Sequence, residues 1–196
     1  NVPTGIEPER VFNYIYAILY SNIYRQKYNE FLKNEFPKIP FTKNENLFYE
    51  MAALGKELIN LHLLKSEKLE KSISKFPIVG DNVVRKREYN PKEKRVFINN
   101  KQYFDGVKSE VWDYYIGGYQ VLDKWLKDRV GRTLSTEDII HYLKIITALN
   151  HTIEIQRQIN AIYPKIEGKL LIAKGWSTKR VGETLNWQAP NCQAFK

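Results

Sequence analysis

Residues 83–118 read VVRKREYNPKEKRVFINNKQYFDGVKSEVWDYYIGG, a succession of runs too short for helices, divided by Asn90-Pro91, Asn99-Asn100 and Asp105-Gly106. Each of these pairs favours a tight turn. Asn and Asp side chains bond their own backbone, Pro withholds a donor and Gly accepts a positive φ. The expected result is a small antiparallel sheet with strands at 83–89, 95–98, 103–104 and 111–116. Alternation in the first strand puts Val83, Arg85, Arg87 and Tyr89 on one face, too polar for a strand buried on both sides.

Helical periodicity surrounds this ribbon. Glu7-Pro8-Glu9 suits a helix start, and Val11, Phe12, Ile15, Ile18 and Leu19 follow at spacings of three and four. Ser21 or Asn22 interrupts this helix. A second one then presents Ile23, Tyr24, Tyr28, Phe31 and Leu32 inward, and Pro37 and Pro40 force the next segment to run extended. Thr42 and Glu45 match a capping box for a helix with a wide apolar stripe, Leu47, Phe48, Met51, Leu54, Leu58 and Leu61. Gly55 inside that stripe costs about 1 kcal/mol against alanine, which points to close helix packing. His62 on the same face reads as a core histidine with a satisfied hydrogen bond.

After the ribbon, Val121, Leu122, Trp125 and Leu126 mark a helix at 119–128. Ser135, with Asp138 three residues on, opens the longest helix, expected to run to 163 before Pro164, an arm of about 40 Å. The fold expected is α+β: a helical amino-terminal part, a small antiparallel sheet and a long carboxy-terminal helix packed across it. Two regions are anticipated, 1–75 and 76–196, the second ending in a basic tail.

The charge balance narrows the partners. The chain has 196 residues, 31 Lys and Arg against 22 Asp and Glu, a net charge of +9, and is 43% hydrophobic. Such a chain can build an ordinary core, and its surplus favours an anionic partner, nucleic acid before membrane. No uncharged run is long enough to cross a bilayer, and NVPTGIEPER is not a signal peptide. Cys192 is the only cysteine, which excludes an internal disulfide and fits a reducing, cytoplasmic setting. The chain starts without Met, as expected of a piece of a longer polypeptide, and is expected to be monomeric.

Residues 85–108 hold eight cations, Arg85, Lys86, Arg87, Lys92, Lys94, Arg95, Lys101 and Lys108, against three acids, Glu88, Glu93 and Asp105. A patch of this kind neutralises phosphates. Lys86, Lys92, Lys94, Arg95, Lys101 and Lys108 are the phosphate candidates. Arg85, Arg87, Asn99, Asn100 and Gln102 are the candidates for base edges, since Arg pairs with guanine and Asn or Gln with adenine. The Gly117-Gly118 pair is either an anion-binding nest or a bend permitting close helix approach, the bend being preferred because no Ser, Thr or basic residue completes a phosphate site. His62, His141 and His151 lack ligand spacing. Glu167-Gly168-Lys169 has no acidic partner in a strand, so no catalytic or metal site is expected.

Three stretches carry a resemblance: VFNYIYAILYSNIYRQKYNEFLKNEFPKIPF, LFYEMAALGKELINLHLL and VWDYYIGGYQVLDKWLKDRVGRTLSTEDIIHYLKIITALNHTIEIQRQI. Together they resemble the carboxy-terminal specificity region of the single-polypeptide Type ISP restriction-modification enzymes. The motifs Tyr115-Ile116-Gly117-Gly118-Tyr119 and Trp125-Leu126-Lys127-Asp128-Arg129 match best, which makes Gly117, Gly118 and Trp125 scaffold.

The resemblance implies a target recognition domain for double-stranded DNA, following an adenine-N6 methyltransferase domain that residues 1–75 would contact. For the complete enzyme it implies nuclease and helicase-like domains and the use of S-adenosylmethionine, Mg2+ and ATP. The chain itself lacks the methyltransferase motifs and is expected to be no enzyme and to hold no cofactor. The rival expectation is a structural docking module whose basic ribbon is only a solvated surface; a cryptic hydrolase is a third.

Overall fold

The computed structural model describes residues 6–167, which divide into two compact units. One comprises residues up to 59 together with those from 154 onward, and the other residues 60–153. In chain order the elements are α1 (Pro8–Tyr20), α2 (Asn22–Lys27), α3 (Asn29–Asn34), α4 (Glu45–His62), a 3-10 turn (Glu67–Leu69), β1 (Glu88–Asn90), β2 (Arg95–Phe97), β3 (Tyr103–Asp105), α5 (Ser109–Trp112), β4 (Tyr115–Ile116), β5 (Tyr119–Gln120), α6 (Val121–Lys127) and α7 (Thr136–Glu167). The expected combination of a helical amino-terminal part, a small antiparallel sheet and a long late helix is what the chain adopts. The tail beyond Glu167, with Trp187, Cys192 and Phe195, lies outside the described residues.

In the helical unit, Ser21 breaks the first helix as expected. It ends α1 in an extended conformation, and its Oγ accepts from the Tyr24 amide at 3.3 Å to cap α2. The buried side of α1 is not the expected one. Asn13, Tyr14, Tyr16, Ala17 and Ile18 are buried, while Val11, Phe12, Ile15 and Leu19 are half-buried. Gly55 explains the rotation, because it lets α4 lie directly against α1. A Cβ there would sit 1.8 Å from the Asn13 carbonyl oxygen and 3.3 Å from the Ala17 Cβ. Tyr14 stacks on Phe41 and Phe48, with centroids 5.2 and 4.7 Å away.

The segment holding Pro37 and Pro40 runs extended, and two tyrosines of this unit hold it. The hydroxyl of Tyr14 donates to the Pro40 carbonyl at 2.7 Å and that of Tyr24 to the Lys38 carbonyl at 3.1 Å. The cap of α4 is Asn44 rather than Thr42. Asn44 Oδ1 accepts from the Leu47 amide at 3.1 Å, while Thr42 Oγ1 accepts from Asn44 itself. The second expected helix is divided at Tyr28, and Phe31 is 59% exposed rather than inward.

In the other unit, β1, β2 and β3 form an antiparallel sheet in sequence order. Tyr89, Val96 and Phe104 stand side by side across it on the inner face. Val96 and Phe104 are fully buried, and with Trp125, Leu126, Tyr142, Ile145, Ile146 and Leu149 they form the core, so α6 and the first half of α7 cover one face of the sheet. The capping box at the start of α7 forms reciprocally: the Ser135 amide donates to Asp138 Oδ2 at 3.0 Å and the Asp138 amide to Ser135 Oγ at 3.1 Å. The helix then runs through Pro164 to Glu167, four residues past its expected end.

Two expected strands differ. Residues 83–87 lie outside the ladder, with only Val83 in an isolated bridge to Thr133; Val84 donates to the Arg132 carbonyl at 3.0 Å, and Arg85 and Lys86 both donate to that of Ile98. Residues 111–116 divide between α5, which buries Val111, and the short strand β4.

Gly117 and Gly118 then join β4 to β5 as a two-residue turn with φ of +56° and +84°. Positive φ at both positions is the type I′ geometry that glycine accepts without cost. Nothing lies within 4 Å of where either Cβ would be, so the pair is not a point of close helix approach.

Candidate nucleic-acid interface

With α6 and α7 on one face, the sheet turns its other face outward. The outward rows are Glu88, Phe97 and Tyr103, then Asn90, Arg95 and Asp105. Phe97 and Tyr103 lie 5.2 Å apart. Cations flank them: Lys86 Nζ is 4.9 Å from the Phe97 ring and Arg95 Cζ 4.3 Å from that of Tyr103. Arg95 is held further by Asp105 at 3.0 Å and Glu93 at 2.9 Å, and Lys86 by Glu88 at 2.9 Å.

The expected arginine readers differ in freedom. Arg85 and Asp81 pair at 2.6 Å, each more than half exposed, and the hydrogen bond from Arg85 holds the Asp81 carboxyl below its usual range. An exposed pair of this kind contributes little to folding. Arg87 is only 28% exposed and is bound to Asp123 on α6. It fastens the ribbon to that helix. Arg87→Ala is therefore expected to cost about 1–2 kcal/mol of stability with no change in base preference, read by urea denaturation beside DNA selection.

Asn99 and Gln102 are turned inward, 6% and 1% exposed. Gln102 Nε2 donates to the Ile78 carbonyl at 3.0 Å and to Asn82 Oδ1 at 2.7 Å, and its Oε1 accepts from the Asn82 amide and Asn99 Nδ2, both at 2.9 Å. Every hydrogen-bonding position of that amide is occupied. Asn99 Oδ1 accepts from the amides of Lys101 and Gln102, shaping the turn. The geometry gives these two a structural part. Asn100, between them, is exposed.

The phosphate candidates separate into two ends. Asn90 Oδ1 accepts from the Lys92 and Glu93 amides, and Lys94 closes the β1–β2 loop at φ +56°. The Val107 amide donates to the Lys94 carbonyl at 2.8 Å, bringing Lys108 to the same end. Lys101 sits at the opposite end of β2, on the β2–β3 turn. Lys92, Lys94, Lys101 and Lys108 are exposed and form no ion pair among the described residues.

In sequence the stretch sets eight cations against three acids; in space Asp81 and Asp123 make it eight against five. Arg132, which sequence position alone left out of the ribbon, joins the Lys101 end through its carbonyl bond to Val84 and is also exposed. Trp125, assigned to scaffold, is 2% exposed beneath the Arg129 guanidinium, which lies 3.6 Å over its ring. Glu167 is bonded to Lys27 at 2.9 Å; Gly168 and Lys169 lie outside the described residues.

Residues 2–158 match the family model described as the Type ISP C-terminal specificity domain. No curated protein shows significant similarity to the chain. Among solved structures, the chain is similar to a nuclease-deletion mutant of the Type ISP restriction-modification enzyme LlaGI in complex with a DNA substrate mimic, at 20% identity and a TM-score of 0.58, over 79% of this chain and 16% of that one. It is similar to the ATP-dependent Type ISP restriction-modification enzyme LlaBIII bound to DNA, at 18% identity and 0.58, over 80% and 11%. A DrdV–DNA complex matches at 22% identity and 0.59, over 80% and 18%. These likenesses show a shared fold, and the chain spans less than a fifth of each of those longer chains.

Proposed function

Because the chain belongs to the Type ISP C-terminal specificity domain family, we propose that it recognises a specific sequence in double-stranded DNA for a restriction-modification enzyme whose chemistry lies in other domains. The observation that carries this reading is the set of exposed cations, Lys92, Lys94, Lys101, Lys108 and Arg132, which form no ion pair among the described residues and lie at both ends of an outward sheet face lined with Phe97 and Tyr103. Cations at the ends would hold phosphates and set the register. Arg85 and Asn100, exposed between them and the turn tips, would meet base edges. The three structures of similar fold were determined with DNA or a DNA mimic, which supports the same reading.

In this proposal adenine methylation, cleavage and ATP use belong to the remainder of the full-length enzyme, with S-adenosylmethionine, Mg2+ and ATP. Among the described residues no three potential metal ligands gather, and Gly117-Gly118 close a hairpin instead of opening a helix onto a cofactor.

A second reading rests on the helical unit, where Tyr24, Tyr28, Phe31, Leu32, Phe36 and Pro37 line a cleft and both phenylalanines are more than half exposed. A face of that composition suits docking against a neighbouring domain.

Fluorescence anisotropy with a randomised duplex pool across a salt series, followed by sequencing of the retained fraction, separates the two. Recognition predicts one enriched motif and affinity falling steeply with salt. Replacing Lys92, Lys94, Lys101 and Lys108 by Gln should flatten the log–log salt slope by about 3 to 4 and leave the motif unchanged. No binding at low salt would leave docking as the function.

A further inference from the structure

Val79 is 98% exposed, the most exposed large apolar side chain among the described residues, yet its loop is pinned on both sides. The carbonyl before it, of Ile78, accepts from Gln102 Nε2 at 3.0 Å. Gly80 after it backs so closely onto the same amide that a Cβ would lie 2.7 Å from Gln102 Cδ. Two residues further on, the Asn82 amide and Oδ1 bind both ends of that carboxamide, with Asn82 in the left-handed region at φ +56°. A fully satisfied buried amide, a glycine without room for a side chain and a left-handed asparagine thus fix the backbone around an isopropyl group that packs against nothing among the described residues.

Its surroundings are polar and basic. Gln102 and Asn99 tie the loop to the turn bearing Asn100 and Lys101, the Arg85–Asp81 pair begins two residues away, and Arg132 bonds to Val84. An apolar knob amid cations and amides complements one feature of duplex DNA, the 5-methyl group of thymine beside hydrogen-bonding base edges and phosphates in the major groove.

We propose that Val79 is a specificity-determining residue that seats its methyl groups against a thymine methyl; this rests on the DNA-recognition reading above. The contact distinguishes thymine from cytosine, which lacks that methyl, at one position of the target.

The test begins with the duplex that the 196-residue chain selects from a randomised pool. Each thymine is then replaced singly by uracil, which removes only the methyl. One replacement should lower the affinity of the parent chain about fourfold, the value of one buried methyl. Val79→Ala, which removes two methyl groups, should bind the unmodified duplex about 4- to 15-fold more weakly and no longer sense that replacement. If a motif is selected but uracil acts equally on parent and variant, or on neither, Val79 is overturned and DNA recognition stands. If no motif is selected, both fall.

Discussion

Gly55→Ala is expected to destabilise the helical unit by about 3 kcal/mol or more, at the upper end of overpacking costs, lowering the melting temperature by about 10 °C. Helix propensity alone argues the opposite, since alanine is favoured over glycine by about 1 kcal/mol in a helix interior. Packing decides the sign. The added methyl would stand 1.8 Å from the Asn13 carbonyl oxygen and 2.7 Å from its carbon, backbone atoms that no rotamer change can remove. Relief requires α1 and α4 to separate, pulling Tyr14 from its stack with Phe48. Thermal melts followed by helical circular dichroism measure the change; an unchanged or higher melting temperature would refute the close approach.

Acid should cost the other unit up to about 3 kcal/mol between about pH 6.5 and 4. His62 is 3% exposed with Nε2 bonded to Thr152 Oγ1 at 3.1 Å, and burial pushes its pKa down to about 4. The folded state holds this imidazole neutral, whereas the unfolded chain protonates it near its ordinary value of about 6.5. The depressed value therefore contributes stability above about pH 6.5 that is lost as pH falls towards 4.

Burial also lowers the pKa of His141, which adds to the loss in the same direction. Asp81, Asp128 and Asp138 are depressed as carboxylates, so their losses come at lower pH. Urea denaturation at neutral pH and at about pH 4.5 should show the fall, and His62→Gln should be weaker at neutral pH with a flatter dependence. An equal slope in parent and variant would remove His62 as the cause.

Local chemistry in the sequence is enough to locate the Ser21 break, the Ser135–Asp138 box and the buried quartet on α6, because each depends on residues within one or two turns. Gly55 is legible too, since a glycine costs a helix stability and close packing against a neighbour is what offsets that cost in a wide apolar stripe. What distance decides is not legible. Thr42 and Asn44 can both cap, and the start of α4 selects between them. Arg87 resembles Arg85 until Asp123, 36 positions on, becomes its neighbour. Asn99 and Gln102 read as exposed turn residues because nothing near them shows that carbonyls and amides of residues 78–83 will satisfy their side chains. Gly117-Gly118 read as a bend, because the strands that make them a hairpin are too brief for any periodicity.

The knot around Gln102 also separates heritable risk from heritable opportunity. Val79, Asn100 and Lys101 project from a frame that does not depend on their side chains, so, on the proposed function, they can be exchanged for a new target at little cost to folding. Gln102, Gly80 and Asn82 offer no such latitude, because changing any of them disturbs the frame on which the others are displayed. Diversification should therefore run along the rim of this loop pair and stall at its centre.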